Sequence, residues 1–130
     1  MTKITYQYYA SATIKDPPMS DKLKAKIAGV VGGLNPPPDH VHIVHVGTVG
    51  DERHRLENPN SKHLHNPPDA IDVRKAFLRW GDAVLEMRFL SHSNPNWKEN
   101  RKIVGDLWRM HGGTVHHESQ KSKNHIHLEV

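Results

Sequence analysis

The segment Asn124-His125-Ile126-His127-Leu128-Glu129-Val130 constrains the fold more than any other stretch of the chain. Side chains on a β-strand point alternately to opposite faces, so residues two apart share a side. His125 and His127 therefore project to one face while Ile126 packs behind the sheet. A strand that carries two imidazoles on one side is an uneconomical way to build a core. It predicts a sheet with an apolar face and a face that holds polar chemistry.

Composition decides which chemistry that is. The chain has no cysteine and twelve histidines, which excludes a disulfide frame and every thiolate metal site. A metal would have to be bound by imidazole and carboxylate alone. At 130 residues the chain is expected to form one domain spanning 1–130. Hydrophobic residues are 35% and the mean hydropathy is −0.71, so a modest core and a polar surface are expected. Nine prolines and nine glycines point to a loop-rich domain, since clear apolar segments lie between them. The net charge of +4 favours an anionic partner, whether nucleic acid, an acidic cell-wall polymer or a membrane surface. No run approaches the roughly 18–20 apolar residues of a membrane helix, and the N-terminal stretch has no apolar signal-peptide region. The expectation is synthesis in the cytosol, no membrane insertion, and export only by another route.

Residues 4–14 are rich in β-branched and aromatic types and predict a first strand. Ser20 stands at an N-cap position, and Leu23, Ile27, Val30 and Val31 fall on one face of a helix ended by Gly32-Gly33. Residues 41–49 predict a strand, 50–69 a long polar loop, and 70–74 a short strand. In 76–91, Gly81-Asp82 favours a turn followed by a strand. Trp97, Ile103, Val104, Leu107 and Trp108 have near-helical spacing, with His111-Gly112-Gly113 closing the helix and the tryptophans in the core. Two closing strands, 113–119 and 124–130, are joined by a basic turn. The class is α+β, with a mainly antiparallel sheet and two principal helices.

A second cluster lies in Ser61-Lys62-His63-Leu64-His65-Asn66-Pro67-Pro68-Asp69-Ala70-Ile71-Asp72-Val73. Asp72 sits between Ile71 and Val73, so its carboxylate points away from two apolar neighbours. A carboxylate in such a strand is costly unless a cation compensates it. Zinc in hydrolases is usually held by three N/O side chains with an open fourth position.

Ser61-x-His63, then Ala70-Ile71-Asp72, then His125-Ile126-His127-Leu128-Glu129-Val130, in that order, resembles the zinc D-Ala-D-Ala carboxypeptidase and L-alanyl-D-glutamate endopeptidase family. That family shares a core with hedgehog-like and lysostaphin-like folds. It includes phage endolysins of similar length. The resemblance rests on about 20 residues in two blocks. It implies a zinc peptidase core, Zn2+ as cofactor, peptidoglycan stem peptides as substrate, and Asp72 and His127 as metal ligands. The first ligand is His63, which keeps the Ser-x-His pattern, or His65, which keeps the family's usual spacing to Asp72. It further implies His125 as the proton acceptor for zinc-activated water, and His117 and Glu118 on the adjacent predicted strand are the next candidates, as transition-state stabiliser or alternative base. Arg53 or Arg55 would hold a substrate carboxylate bidentately. Nucleic acid is not expected as a partner, and a monomer is.

The remaining histidines have plainer roles. His40, His42 and His45 are expected to be hydrogen-bonded or edge-facing, and His54, His92 and His111 to lie at the surface. Of His116 and His117, adjacent on a strand, only one is expected to face the site. Two rival functions fit parts of the pattern. His-hydrophobic-His also marks metal-dependent single-strand DNA nicking enzymes, but these need a nucleophilic tyrosine, and Tyr6, Tyr8 and Tyr9 all lie on the first strand. The other rival is a non-catalytic, metal-stabilised cell-wall-binding module.

Overall fold

In a computed structural model, the chain is described at residues 3–8, 13–14, 19–34, 41–46, 59–65, 67–74, 79–80, 85–86, 95–123 and 125–130. The elements in order are β1 (Lys3–Tyr8), β2 (Thr13–Ile14), α1 (Asp21–Gly33), β3 (Val41–Val46), a 3-10 turn (Lys62–Leu64), β4 (Ala70–Val73), β5 (Arg79–Trp80), β6 (Leu85–Glu86), α2 (Trp97–Met110), β7 (Thr114–His116) and β8 (Ile126–Glu129). This is the α+β class with two principal helices. Among the described residues no helix is long and apolar enough to cross a membrane.

The strands form two sheets, one in the order β2-β1-β3-β5-β6 and one in the order β4-β8-β7. Every pairing is antiparallel except that of β1 with β3, which the α1 crossover makes parallel. The single strand expected over 4–14 is instead a pair, with Tyr6 opposite Ile14 and Gln7 opposite Thr13. One strand of that length would run about 36 Å at about 3.3 Å per residue. That is well beyond the six-residue β3 that it pairs with. Of the strand expected after Gly81-Asp82, Leu85–Glu86 is described and pairs with Arg79–Trp80, and the Gly81-Asp82 turn lies outside the described residues.

Helix α1 starts where expected. The Ser20 side chain accepts a hydrogen bond from the Leu23 backbone N–H at 3.1 Å, satisfying a donor that the first turn leaves open. All four predicted apolar residues, Leu23, Ile27, Val30 and Val31, are buried. Helix α2 buries Trp97, Val104 and Trp108, with Ile103 and Leu107 packed at the edge of the same cluster. Burial of a large apolar side chain is worth about 1.5–3 kcal/mol. Tyr6, the α1 face, Ile71 and Val73 of β4, Trp108 of α2 and Ile126 and Leu128 of β8 form one core, so both helices back the three-stranded sheet.

The end of α2 locks against β8. Gly112 takes a positive φ of 82°, and the Gly113 N–H returns to the Trp108 carbonyl at 3.1 Å, closing the helix with a left-handed residue. The Trp108 indole N–H donates to the Glu129 carbonyl at 2.9 Å. A Cβ on Gly113 would stand 2.1 Å from Trp108 Nε1, so only glycine allows this approach.

Register then sets the site. Asp72 lies opposite His127, and His127 lies opposite His116. One row of side chains therefore crosses all three strands on the face away from the core.

Candidate metal centre

Ser61 gives the first ligand its position. It caps the 3-10 turn, and its hydroxyl accepts from the His63 backbone N–H at 3.3 Å, which explains why serine stands two residues before the histidine. The Lys62 carbonyl accepts from the Asp69 N–H at 3.0 Å, tying the turn to the start of β4. The His63 side chain is completely buried, with its Nε2 directed at β8.

Three ligand atoms converge there. His127 Nδ1 lies 2.8 Å from Asp72 Oδ1 and 3.1 Å from His63 Nε2, and His63 Nε2 lies 3.4 Å from Asp72 Oδ1. A tetrahedral zinc ion with bonds of about 2.0–2.2 Å separates its ligand atoms by about 3.3–3.6 Å. The triangle is therefore close to the size a small divalent ion needs, and its two-imidazole, one-carboxylate donor set suits zinc. His63, Asp72 and His127 are close enough to bind a metal ion.

His65 stands elsewhere. It is exposed, and its Nδ1 meets Asp69 Oδ2 at 2.6 Å on the side toward Ser20. Hydrogen bonds from Ser20 and His65 hold the Asp69 carboxyl below its ordinary range. Pro68 is buried and its carbonyl accepts from the Ser20 N–H at 2.9 Å. The longer interval from His63 to Asp72 is taken up by this detour.

The electrostatics follow from the convergence. Burial pushes the Asp72 carboxyl up, but hydrogen bonds from His127 and His63 outweigh it and hold the group below the usual carboxylate range. Burial likewise disfavours charge on His127, yet the hydrogen bond and charge of Asp72, with help from Glu129, raise its imidazole above the ordinary value. His125 is different. Burial depresses it, ahead of the raising effect of Asp72, whose Oδ1 lies 3.9 Å from its Nε2. Glu129 is pushed up by burial and pulled lower overall by His127 and Lys62.

These directions predict the stability of the metal-free protein. A lowered Asp72 contributes stability that is present above about pH 4 and lost as pH falls through the folded pKa. A raised His127 contributes stability that is complete below about pH 6.5 and lost as pH rises through its folded pKa. Chelator-treated protein is therefore expected to melt highest toward the upper end of the window from about pH 4 to 6.5, because the depressed His125 loses stability as pH falls below about 6.5. Melting curves across the pH range check this: a maximum at pH 8 or above contradicts the assignment of His127, and a melting temperature that does not fall below pH 4 contradicts that of Asp72.

The other predicted residues distribute unevenly. His117 sits beside the site, its ring centroid 5.4 Å from that of His125 and 6.5 Å from that of His127. His116, opposite His127, has its centroid 5.3 Å away. Both adjacent histidines thus face the cluster, contrary to strict alternation. The cause is the His117 backbone, which takes a left-handed φ of 66° just as β7 ends. Glu118 is turned the other way, ion-paired to Arg109 against Gly105 of α2. Arg53, Arg55, His40, His54 and His92 lie outside the described residues, and His42 and His45 are placed only by the backbone of β3. Tyr6 is buried in the core, which removes it as a nucleophile.

Four contributors were not expected from sequence. A cleft of about 310 Å³ is lined by Asn60, Ser61, Lys62, His116, His117, His127 and Glu129, which brings Asn60, Lys62 and Glu129 to the site. The fourth is Arg101 of α2. It is fully buried and donates to the carbonyls of His117 at 2.9 Å, Gln120 at 3.3 Å and Lys123 at 2.9 Å. Arg101 thereby shapes the loop that joins β7 to His125. The paired spacing of histidines around a basic turn marks that loop, but nothing local in the sequence marks the guanidinium beneath it. No protein-family model, curated protein or solved structure matches the chain.

Proposed function

We propose that the chain is a zinc-dependent peptidase that hydrolyses peptide bonds in the stem peptides of bacterial peptidoglycan. The observation that carries this reading is the convergence of His63 Nε2, Asp72 Oδ1 and His127 Nδ1 within 3.4 Å beside an open cleft. A zinc ion held by these three residues supplies a Lewis acid that polarises a carbonyl and acidifies water. The protein's own groups do the rest. His125, kept neutral by burial and placed at the edge of the ligands, accepts the proton of the attacking water and returns it to the leaving amine. His117, beside His125, is placed to stabilise charge that develops on the carbonyl oxygen. The choice of peptidoglycan is supported by the Ser-x-His, Ala-x-Asp and His-x-His blocks, whose residues are the ones that meet, and by the net charge of +4.

The test uses purified protein and isolated peptidoglycan. One zinc per chain is expected, with new amino termini in the digest, loss of cleavage on chelation and recovery on adding zinc. Stoichiometric zinc with binding but no cleavage would favour the cell-wall-binding module. A protein without zinc and without products would overturn the proposal.

A further inference from the structure

On the zinc reading above, we propose that Glu129 is a positioning residue that fixes which ring nitrogen of His127 faces the metal. A neutral imidazole has one N–H and one lone pair, and a metal takes the lone pair. The two nitrogens of His127 meet opposite surroundings. Nδ1 faces Asp72 Oδ1 at 2.8 Å and His63 Nε2 at 3.1 Å, while Nε2 faces Glu129 Oε1 at 3.0 Å. Two carboxylates therefore compete for the proton of one ring. If Asp72 alone acted, the proton would sit on Nδ1, and the lone pair would point away from the other ligands. Glu129 offers an acceptor on the far side, so that Nε2–H donates to it and Nδ1 is left open toward Asp72 and His63. A metal-bound histidine that donates its other N–H to a carboxylate is held in both tautomer and ring orientation.

Glu129 is itself held in place. It lies one strand repeat beyond His127 on the same face of β8, opposite Ala70 on one side and Thr114 on the other. These small neighbours leave its side chain room to lie along the strand toward His127. Lys62 Nζ stands 3.4 Å from Glu129 Oε2, and His116 Nε2 stands 3.2 Å from Oε1. Lys62 directly precedes His63 in the 3-10 turn. The turn thus grips β8 twice, through His63 at the ligand cluster and through Lys62 at Glu129.

The same atoms admit a rival occupant. His116, His127 and Glu129 each offer a ligand atom within 4.8 Å of the others and could hold a second ion, with His116 Nε2 and His127 Nε2 standing 3.2 Å and 3.0 Å from Glu129 Oε1. That arrangement needs lone pairs on both His127 nitrogens, hence an imidazolate. It also puts a divalent cation beside the Lys62 ammonium. A hydrogen bond from Nε2–H requires neither, and the geometry points to it.

The experiment compares the wild type with Glu129→Ala and Glu129→Gln. Zinc affinity is measured by competition with a chromophoric chelator, and long-range nitrogen–proton NMR locates the imidazole protons of the zinc-loaded protein. One zinc per chain is expected in all three. Glu129→Ala should weaken zinc by about 10–100-fold. Glu129→Gln, whose amide oxygen still accepts, should recover most of that loss. In the loaded wild type the His127 proton should sit on Nε2. Unchanged affinity in Glu129→Ala, with zinc still bound by the wild type, overturns this inference alone. So does a second zinc that Glu129→Ala removes, since Glu129 would then be a ligand. Zinc absent from the wild type overturns the metal reading and this inference together.

Discussion

Asp72→Ala is expected to yield protein that no longer retains one zinc per chain and no longer cleaves peptidoglycan. Asp72 supplies the only anionic ligand atom of the cluster, and it contacts both imidazoles. Without it, two histidine nitrogens 3.1 Å apart would have to hold a divalent ion with no carboxylate oxygen among the ligands. The loss of affinity should exceed the about 10–100-fold that removal of an outer hydrogen-bond partner costs. The metal-free variant should also be less stable than metal-free wild type, because removing one partner of a buried ionic pair costs about 3–5 kcal/mol. Asp72→Asn separates the two effects. Its amide can keep a hydrogen bond and the packing while losing the charge, so it should recover stability without recovering zinc. Metal analysis and thermal melts of both variants decide the point. Stoichiometric zinc in Asp72→Ala at near wild-type affinity would remove Asp72 from the site.

The second large effect belongs to Arg101, a residue outside the set of three proposed ligands. Arg101→Met is expected to lower the melting temperature by roughly 10 °C or more, given about 4 °C per kcal/mol for a domain of this size. The guanidinium, itself fully buried, satisfies three carbonyls, and hydrogen bonds to a charged group contribute about 1.5–3 kcal/mol each. It also stacks on Trp97, 4.7 Å from the ring centroid, so the methionine fills part of the volume but none of the polar demand. Zinc should still bind, since the ligands come from β4, β8 and the 3-10 turn and not from the loop that Arg101 supports. Catalysis should fall further than zinc content, because that loop carries His117 and leads into His125. A variant that melts like the wild type would show that the loop holds its shape without Arg101.

What could be read from sequence was set by burial with a period. Leu23, Ile27, Val30 and Val31 announce α1 because a helix must turn the same side inward. Ile126 and Leu128 announce β8 because a strand must alternate. Alternation also turns Asp72 and His127 away from their apolar neighbours, but naming them as partners rests on the resemblance of their two motifs to the zinc peptidase family. The remainder depends on contacts between distant segments. Choosing His63 over His65 required the short turn capped by Ser61 and the path of Pro68, neither of which leaves a periodic trace. Arg101 occupies a helical position where an arginine usually meets solvent, and the carbonyls of a loop 16 or more residues away help to make its burial tolerable. His117 escapes alternation through one backbone angle. The parallel pairing of β1 with β3 follows from the α1 crossover, which local propensity does not encode.

The ligand row has a consequence for how the chain is held together. Asp72 and His127 are 55 residues apart in sequence, and the chain has no cysteine to join such distant segments covalently. An ion shared by residues 63, 72 and 127 would act as a cross-link, closing a loop that a disulfide of this span would stabilise by about 4 kcal/mol through the unfolded chain. Such a link can be undone by acid or chelation, so integrity of the sheet and occupancy of the site would rise and fall together.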